Sequence, residues 1–330
     1  MWFEKLTGFK EESPEQVRSN IEINGNVLTS KINGTSYQFG NLSVISLADL
    51  KIQLPPLDSF DSKIQVGEVI GNIQSYHKEE SNNGAFFQAA SQFNLLEMVG
   101  PSVTPEQGVG IYELDNTQGP ACAIACGAGT IYRNYFAEVD GQIGQSSSIQ
   151  IDCLAEIGVA LKNVNSNLWE MSNGYAMANR VGLETISEQL QKMSEIEYEE
   201  LKGKLKIGVQ WDTEVTISEN KNIVSQAYCS ALPVAYSNIS TENWSDFACL
   251  ILEATYEATL FAALLNYSKT GNNKVFLTLV GGGAFGNDTK WIMDALKKTL
   301  IKFNQTPLDI KIVSFGRSKS YVREILEGFN

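Results

Sequence analysis

At 330 residues the chain is long enough for about two average domains, or for one large α/β core with an appended segment. Apolar residues make up 43% and charged residues 19%, ordinary globular usage that excludes a disordered, collagen-like or disulfide-framework protein. The 25 Lys+Arg against 38 Asp+Glu leave a net charge of −13, which argues against a nonspecific grip on nucleic acid or on an anionic membrane, yet a small anion can still be held by backbone N–H groups.

Met1–Ser13 lacks a basic stretch followed by an apolar one, and no apolar run approaches the ~20 residues of a membrane span, so a soluble protein is expected. The five cysteines, Cys122, Cys126, Cys153, Cys229 and Cys249, are odd in number and lack metal-site spacing. They fit buried thiols in a reducing compartment, with no metal.

Residues 1–60 read as an accessory segment. Ser13-Pro-Glu-Gln16 carries an N-cap, a proline in the first turn and a capping-box glutamine, so a short helix is expected there. Asn24-Gly25 and Asn33-Gly34 flank a strand-like Asn26–Ile32, which predicts type I′ hairpins and a small antiparallel meander ending near Pro55-Pro56. Residues 61–330 read as the core. Strands are expected at Ile64–Ile70, Ala85–Phe93, Leu168–Ala176, Lys206–Trp211, Ile223–Ala231, Lys274–Val280 and Leu308–Phe315. They alternate with helices at Pro120–Phe136, Ile149–Lys162, Leu183–Leu201 as one or two, Ser245–Tyr267, Thr289–Phe303 and Ser318–Gly328. This alternation predicts a mixed, mostly parallel sheet covered on both faces.

Two segments stand out chemically. Strand Lys274–Val280 runs through Gly281-Gly-Gly-Ala-Phe-Gly-Asn287 into a helix, an arrangement that presents bare N–H groups and a positive dipole end to a diphosphate. Gly281, Gly283 and Gly286 also fit G-x-G-x-x-G, but a dinucleotide fold needs further βα units and only one strand follows. The plain alternative is a tight βα turn that needs glycine for positive φ. In Asp115-Asn-Thr-Gln-Gly-Pro-Ala121, polar residues lead into a helix rich in small residues, where the alternative is a close packing seam with Asp115 or Thr117 as an ordinary cap.

Taken together with Val69-Ile-Gly-Asn-Ile73 and the run Ala85–Asn94, these blocks resemble a macrodomain of the poly(ADP-ribose)-glycohydrolase-like branch over roughly residues 63–316. The resemblance implies a macrodomain-like three-layer α/β/α core that binds ADP-ribose, with no cofactor. It implies that Asn94 holds the distal ribose with Gln92 nearby, and that Thr117, Gln118, Gly119, Pro120 and Ala121 form a first phosphate loop. Gly281, Gly282, Gly283, Ala284, Gly286 and Asn287 would form the second, with Phe285 against the distal ribose and Phe315 at the adenine. Two departures stand out: Asn72 occupies the place of an adenine-binding aspartate, with Glu68 as substitute, and the signature of three glycines followed by Gln-Glu-Glu is replaced by Asp115-Asn-Thr-Gln-Gly119.

Cleavage at the distal ribose passes through an oxocarbenium-like state that needs a carboxyl group, and Asp115 and Glu97 are the candidates, with Glu113 third. His77 is the one histidine and sits in a polar run, which argues against a Ser/His or Cys/His nucleophile. Arg133 and Lys290 lie near the loops, with solvation on a helix surface as the default for each. The expected function is therefore an ADP-ribosyl hydrolase acting on an arginine-linked or acidic side chain. The alternatives are a non-catalytic reader of ADP-ribosylated proteins and a Rossmann-like nucleotide enzyme. The resemblance further implies an ADP-ribosylated protein partner, ubiquitin among the candidates through bacterial effectors of this branch, in the cytoplasm or a host cytosol.

Overall fold

The computed structural model describes residues 1–329. Seven strands form the main sheet: β1 (Asn41–Ser46), β2 (Gln65–Ile70), β3 (Phe86–Ala90), β4 (Lys206–Glu214), β5 (Ile223–Cys229), β6 (Lys274–Leu277) and β7 (Asp309–Ser314). Their spatial order is β1-β4-β5-β3-β6-β7-β2. From β5 to β2 every neighbouring pair is parallel, and β4 runs antiparallel to both β5 and β1. The mostly parallel mixed sheet is thus present. Its order lacks the two successive βαβαβ halves of a dinucleotide fold, which removes the Rossmann-like alternative.

Alternation along β3 shows the layering. Phe87 stacks on His77 at 3.8 Å, so it faces the helix Ile73–Lys78. The next residue, Gln88, points to the opposite face and donates to Thr259 at 2.8 Å, which lies on the helix Ser245–Thr270. Successive side chains of a strand take opposite faces, so the sheet lies between two helical layers. On the Thr259 side, Ser245–Thr270 packs against Leu47–Ile52, Arg180–Lys192, Glu195–Gly203 and Thr289–Lys302. Contrary to the expectation from sequence, Thr241–Thr270 contains an apolar stretch (mean hydropathy 1.6) long enough to cross a membrane, but 83% of that window is buried inside the protein.

The structure divides the first sixty residues. Ile21–Asn24, Val27–Ser30 and Ser36–Gln38 form a separate three-stranded antiparallel sheet, whereas β1 leaves that meander to become the edge of the main sheet through six pairs with β4. The first hairpin loop is Gly25-Asn26, since Asn24 pairs with Val27, and only Gly25 has positive φ (+60°). The expected type I′ turn, with both central residues left-handed, is therefore not the one used. The expected strand Leu168–Ala176 is instead a hairpin, Trp169–Ser172 with Tyr175–Ala178, outside the main sheet. The expected helix Pro120–Phe136 is two, Gln118–Ala125 and Gly127–Tyr135, broken at Cys126 (φ −115°, ψ 62°), and Ile149–Lys162 is helical only over Ala155–Leu161.

Candidate active site

Parallel strands bring their C-terminal ends to one edge of the sheet. There the residues leaving β3, β5 and β6 enclose a cleft of about 210 Å³. Its walls include both unusual loops, which are remote in sequence. In the first loop the Asp115 carboxylate accepts from Thr117 N–H at 2.8 Å, a local turn that delivers the chain to the N-terminus of Gln118–Ala125. Gln118 staples this helix to β3: its Nε2 donates to the Gln88 carbonyl at 2.8 Å and its Oε1 accepts from Ala90 N–H at 3.2 Å. Gly119 is dictated by space, because a Cβ there would lie 2.0 Å from the Ala90 carbonyl and 2.3 Å from Glu97 Oε2.

The second loop turns at Gly281 (φ +80°) and Gly286 (φ +67°). It closes on itself through Asn287 N–H to the Gly281 carbonyl at 2.9 Å and Gly286 N–H to the Gly283 carbonyl at 3.1 Å. Asn287 Nδ2 ties it to the Leu232 carbonyl at 2.8 Å. Among the described residues, the N–H groups of Gln118, Gly119, Gly283, Ala284 and Phe285 have no internal acceptor, and all five residues line the cleft. No Lys, Arg or His joins them there. Any anion held in this cleft is therefore held by main-chain dipoles and a helix N-terminus.

Glu97 sits where the two loops meet. After β3 the chain doubles back: Gln92 clasps the Met98 backbone in both directions (3.0 and 2.9 Å), and Leu95 takes a left-handed φ of +65°. Glu97 N–H donates to the Tyr112 hydroxyl at 3.0 Å. The carboxyl group is 3% exposed, and its Oε1 has no hydrogen-bond partner. Burial raises its proton affinity well above the ordinary carboxyl range, Arg133 opposes the rise and Asp115 adds to it. Burial thus favours the protonated form of this carboxyl over the carboxylate. Beside it, half-buried Asp115 lines the same cleft. A third wall is aromatic: Tyr175, Tyr236 and Phe285 have ring centroids 5.1, 5.2 and 5.7 Å apart.

Eleven of the expected site residues line this cleft: Glu97, Asp115, Gln92, Thr117, Gln118, Gly119, Pro120, Gly281, Gly283, Ala284 and Phe285. The others do not. Asn94 is fully buried, its Nδ2 donating to Gln150 Oε1 and its Oδ1 accepting from Leu96 N–H, and the hairpin at Gly174 seals it off. Asn72 caps the helix Ile73–Lys78, accepting from Gln74 N–H. Glu68 is taken up by Ser314, Ser318 and Lys319 N–H. Glu113 accepts from Trp2 N–H on the far side of its 3₁₀ turn. The Ala121 carbonyl binds Gln74. Gly282, Gly286 and Asn287 shape the second loop from behind, and Phe315 is 73% exposed beyond β7. Arg133 is buried rather than on a surface, and Lys290 is exposed. Tyr175 and Tyr236 escaped the sequence reading as site residues. Tyr236 ends the short 3₁₀ turn Val234–Tyr236 after β5, whereas Tyr175 comes from a hairpin whose position only packing sets.

No protein-family model matches the chain, and no curated protein matches it in sequence. Among solved structures it aligns with poly(ADP-ribose) glycohydrolases. A point variant of the enzyme from Thermomonospora curvata aligns at TM-score 0.46 and 9% identity over 96% of each chain, and the same enzyme bound to the inhibitor ADP-HPD at 0.44 and 10% over 95% of each. The enzyme from Deinococcus radiodurans in complex with ADP-ribose aligns at TM-score 0.44 and 9% identity, over 87% of this chain and 94% of that one.

Proposed function

We propose that the cleft binds ADP-ribose through its two main-chain loops and hydrolyses the bond joining the distal ribose to a modified protein side chain. The observation that carries this reading is the orphaned, buried Glu97 carboxyl at the junction of two sets of bare N–H groups. Uncommitted N–H donors and a helix N-terminus suit a diphosphate, and a neutral acid beside a more open carboxylate is the division of labour that glycosidic hydrolysis uses. Glu97 donates its proton to the departing side-chain atom as the bond to ribose C1 breaks. Asp115 stabilises the oxocarbenium-like centre and takes a proton from the water that adds to C1. Asp115 then gives that proton up to solvent and Glu97 takes one back, so both groups return to their starting states and the enzyme is restored.

The lining favours one linkage over the other. A wall of three aromatic rings beside two carboxyl groups, with no cation, suits a guanidinium better than an acidic side chain. Arginine-linked ADP-ribose on a protein is accordingly the proposed substrate, handled in the cytoplasm or a host cytosol. Calorimetric titration with ADP-ribose, with AMP and NAD as controls, tests binding. Turnover of arginine-, glutamate- and serine-linked ADP-ribosyl peptides tests chemistry. D115A is expected to lose release by at least about 100-fold while binding stays within a few-fold; unchanged release removes Asp115 from the mechanism. A reader function is the second reading, favoured by Asp115-Asn-Thr-Gln-Gly119 standing in place of the glycohydrolase signature. Binding without turnover on every linkage would establish it.

A further inference from the structure

Arg133 is 1% exposed on the helix Gly127–Tyr135, and among the described residues no carboxylate lies within salt-bridge distance of it. Its donors go to neutral acceptors: Nε to the Leu95 carbonyl at 3.2 Å, Nη1 to Gln210 Oε1 at 3.4 Å and Nη2 to Thr130 Oγ1 at 3.0 Å. Its guanidinium lies over the Tyr228 ring, 3.5 Å from the centroid. An arginine keeps its charge wherever it is placed, so this is a permanent buried cation without a contact anion, an expensive arrangement unless it serves a purpose.

The carbonyl it grips belongs to Leu95, buried and left-handed at φ +65°, a conformation that costs a branched side chain about 1 kcal/mol or more. Leu95 is two residues before Glu97, and the reversal it makes is what turns Glu97 back toward the cleft. We propose that Arg133 is the positioning residue for Glu97: through the Leu95 carbonyl it clamps the left-handed turn that delivers this carboxyl to the cleft, and it holds a fixed positive charge on that turn. The other groups facing Glu97 are Tyr112 and Asp115 from the 3₁₀ turn and the loop after it, Cys122 from the helix Gln118–Ala125, Tyr175 from the hairpin and Tyr228 from β5. Arg133 is the one cation in that set.

This inference rests on the hydrolase reading for its consequence in catalysis, so its test uses a readout that does not need turnover. Carboxyl-carbon NMR on the full chain, with the Glu97 signal assigned by its loss in E97Q, follows the titration directly. R133Q is expected to raise the Glu97 midpoint by about one pH unit, and to move the alkaline limb of ADP-ribose release upward by the same amount. R133K keeps the charge but not the flat fork over Tyr228. Its midpoint is expected to stay near the wild-type value while release falls about tenfold through loss of alignment. A folded R133Q with an unmoved midpoint overturns the electrostatic role, and R133K with wild-type release overturns the clamp. Should R133Q fail to fold, R133K decides: a midpoint displaced as far as its rate contradicts the division between charge and clamp. A shifted midpoint in a protein that releases no ADP-ribose in any form refutes the hydrolase reading and leaves the coupling between Arg133 and Glu97 standing.

Discussion

Two regions bury ionisable groups almost completely, and they treat them in opposite ways. Behind the sheet, fully buried Lys202 contacts Glu199 at 2.6 Å and Glu257 at 2.5 Å, with Glu253 at 3.6 Å. Glu257 is also reached by Lys302 at 2.7 Å and Lys51 at 3.4 Å. Burial pushes the Glu257 carboxyl up, but Lys202 and Lys302 pull harder and hold it below its ordinary range. At the cleft, Glu97 is as deeply buried and has no partner for Oε1. The first region spends its charges on one another and stays ionised as a strut between helices. The second leaves a carboxyl unsatisfied, and burial there favours the protonated form, the state in which it can give a proton away. Burial alone marks neither; completeness of pairing separates a structural charge from a reactive one.

The largest effect that tests this contrast is on turnover. E97Q keeps the shape but has no acidic proton, and it is expected to lower ADP-ribose release by about 10²- to 10⁴-fold with binding nearly intact; a fast E97Q would erase the distinction. Next is stability behind the sheet. K202M removes the closest of the three lysines around Glu257, leaving Lys302 and Lys51, and is expected to lose less in urea unfolding than the about 3–5 kcal/mol of a fully stranded buried charge, much of it regained in K202M/E257L, with release per folded molecule unchanged. A third test uses His77, buried between Phe87 and Gln226 and held down to about 4 by burial. The unfolded chain takes up a proton near pH 6.5 and the folded chain does not. Its contribution is complete above that pH and is lost as pH falls toward 4, by about 3 kcal/mol at most. Unfolding measured across that window in wild type and H77F should show a flatter dependence in the variant. The smallest effect sharpens the comparison most. The proton affinity of Glu97 is raised on folding, so the folded state binds the extra proton and wild type loses stability as pH climbs through the raised value. E97Q is expected to melt about 2–4 °C higher, the gain growing with pH; a loss of stability at high pH would mean that Glu97 is paired after all.

Residues whose role is local were legible in the sequence. Gly281–Asn287 after a buried strand, and Gly119-Pro120 opening a helix of small residues, announce loop-to-helix junctions because positive φ and bare N–H groups leave a compositional trace. The alternation of strands and helices predicted the sheet, and the apolar run at Ser245–Tyr267 predicted the central helix. Asn94 was misjudged because its fate depends on Gln150 and Gly174, more than fifty residues away. The break at Cys126 is marked only by Gly127 and Gly129, which in a run of small residues read as part of one continuing helix. The hairpin carrying Tyr175 reads as one strand because Asn173-Gly174 sits inside an otherwise continuous β-like run.

What the sequence determined by itself was the set of parts: a parallel α/β core, two anion-ready loops and a handful of carboxyl candidates, since periodicity, capping and glycine placement act over a few residues. Tertiary structure alone decided which carboxyl is reactive. Glu97, Asp115 and Glu113 are chemically alike along the chain, and they differ only in what packs around them: an aromatic and helical enclosure for the first, the cleft rim for the second, the Trp2 amide for the third. Proton affinity is set by burial and by charges brought near through folding, and neither quantity exists until the chain has closed.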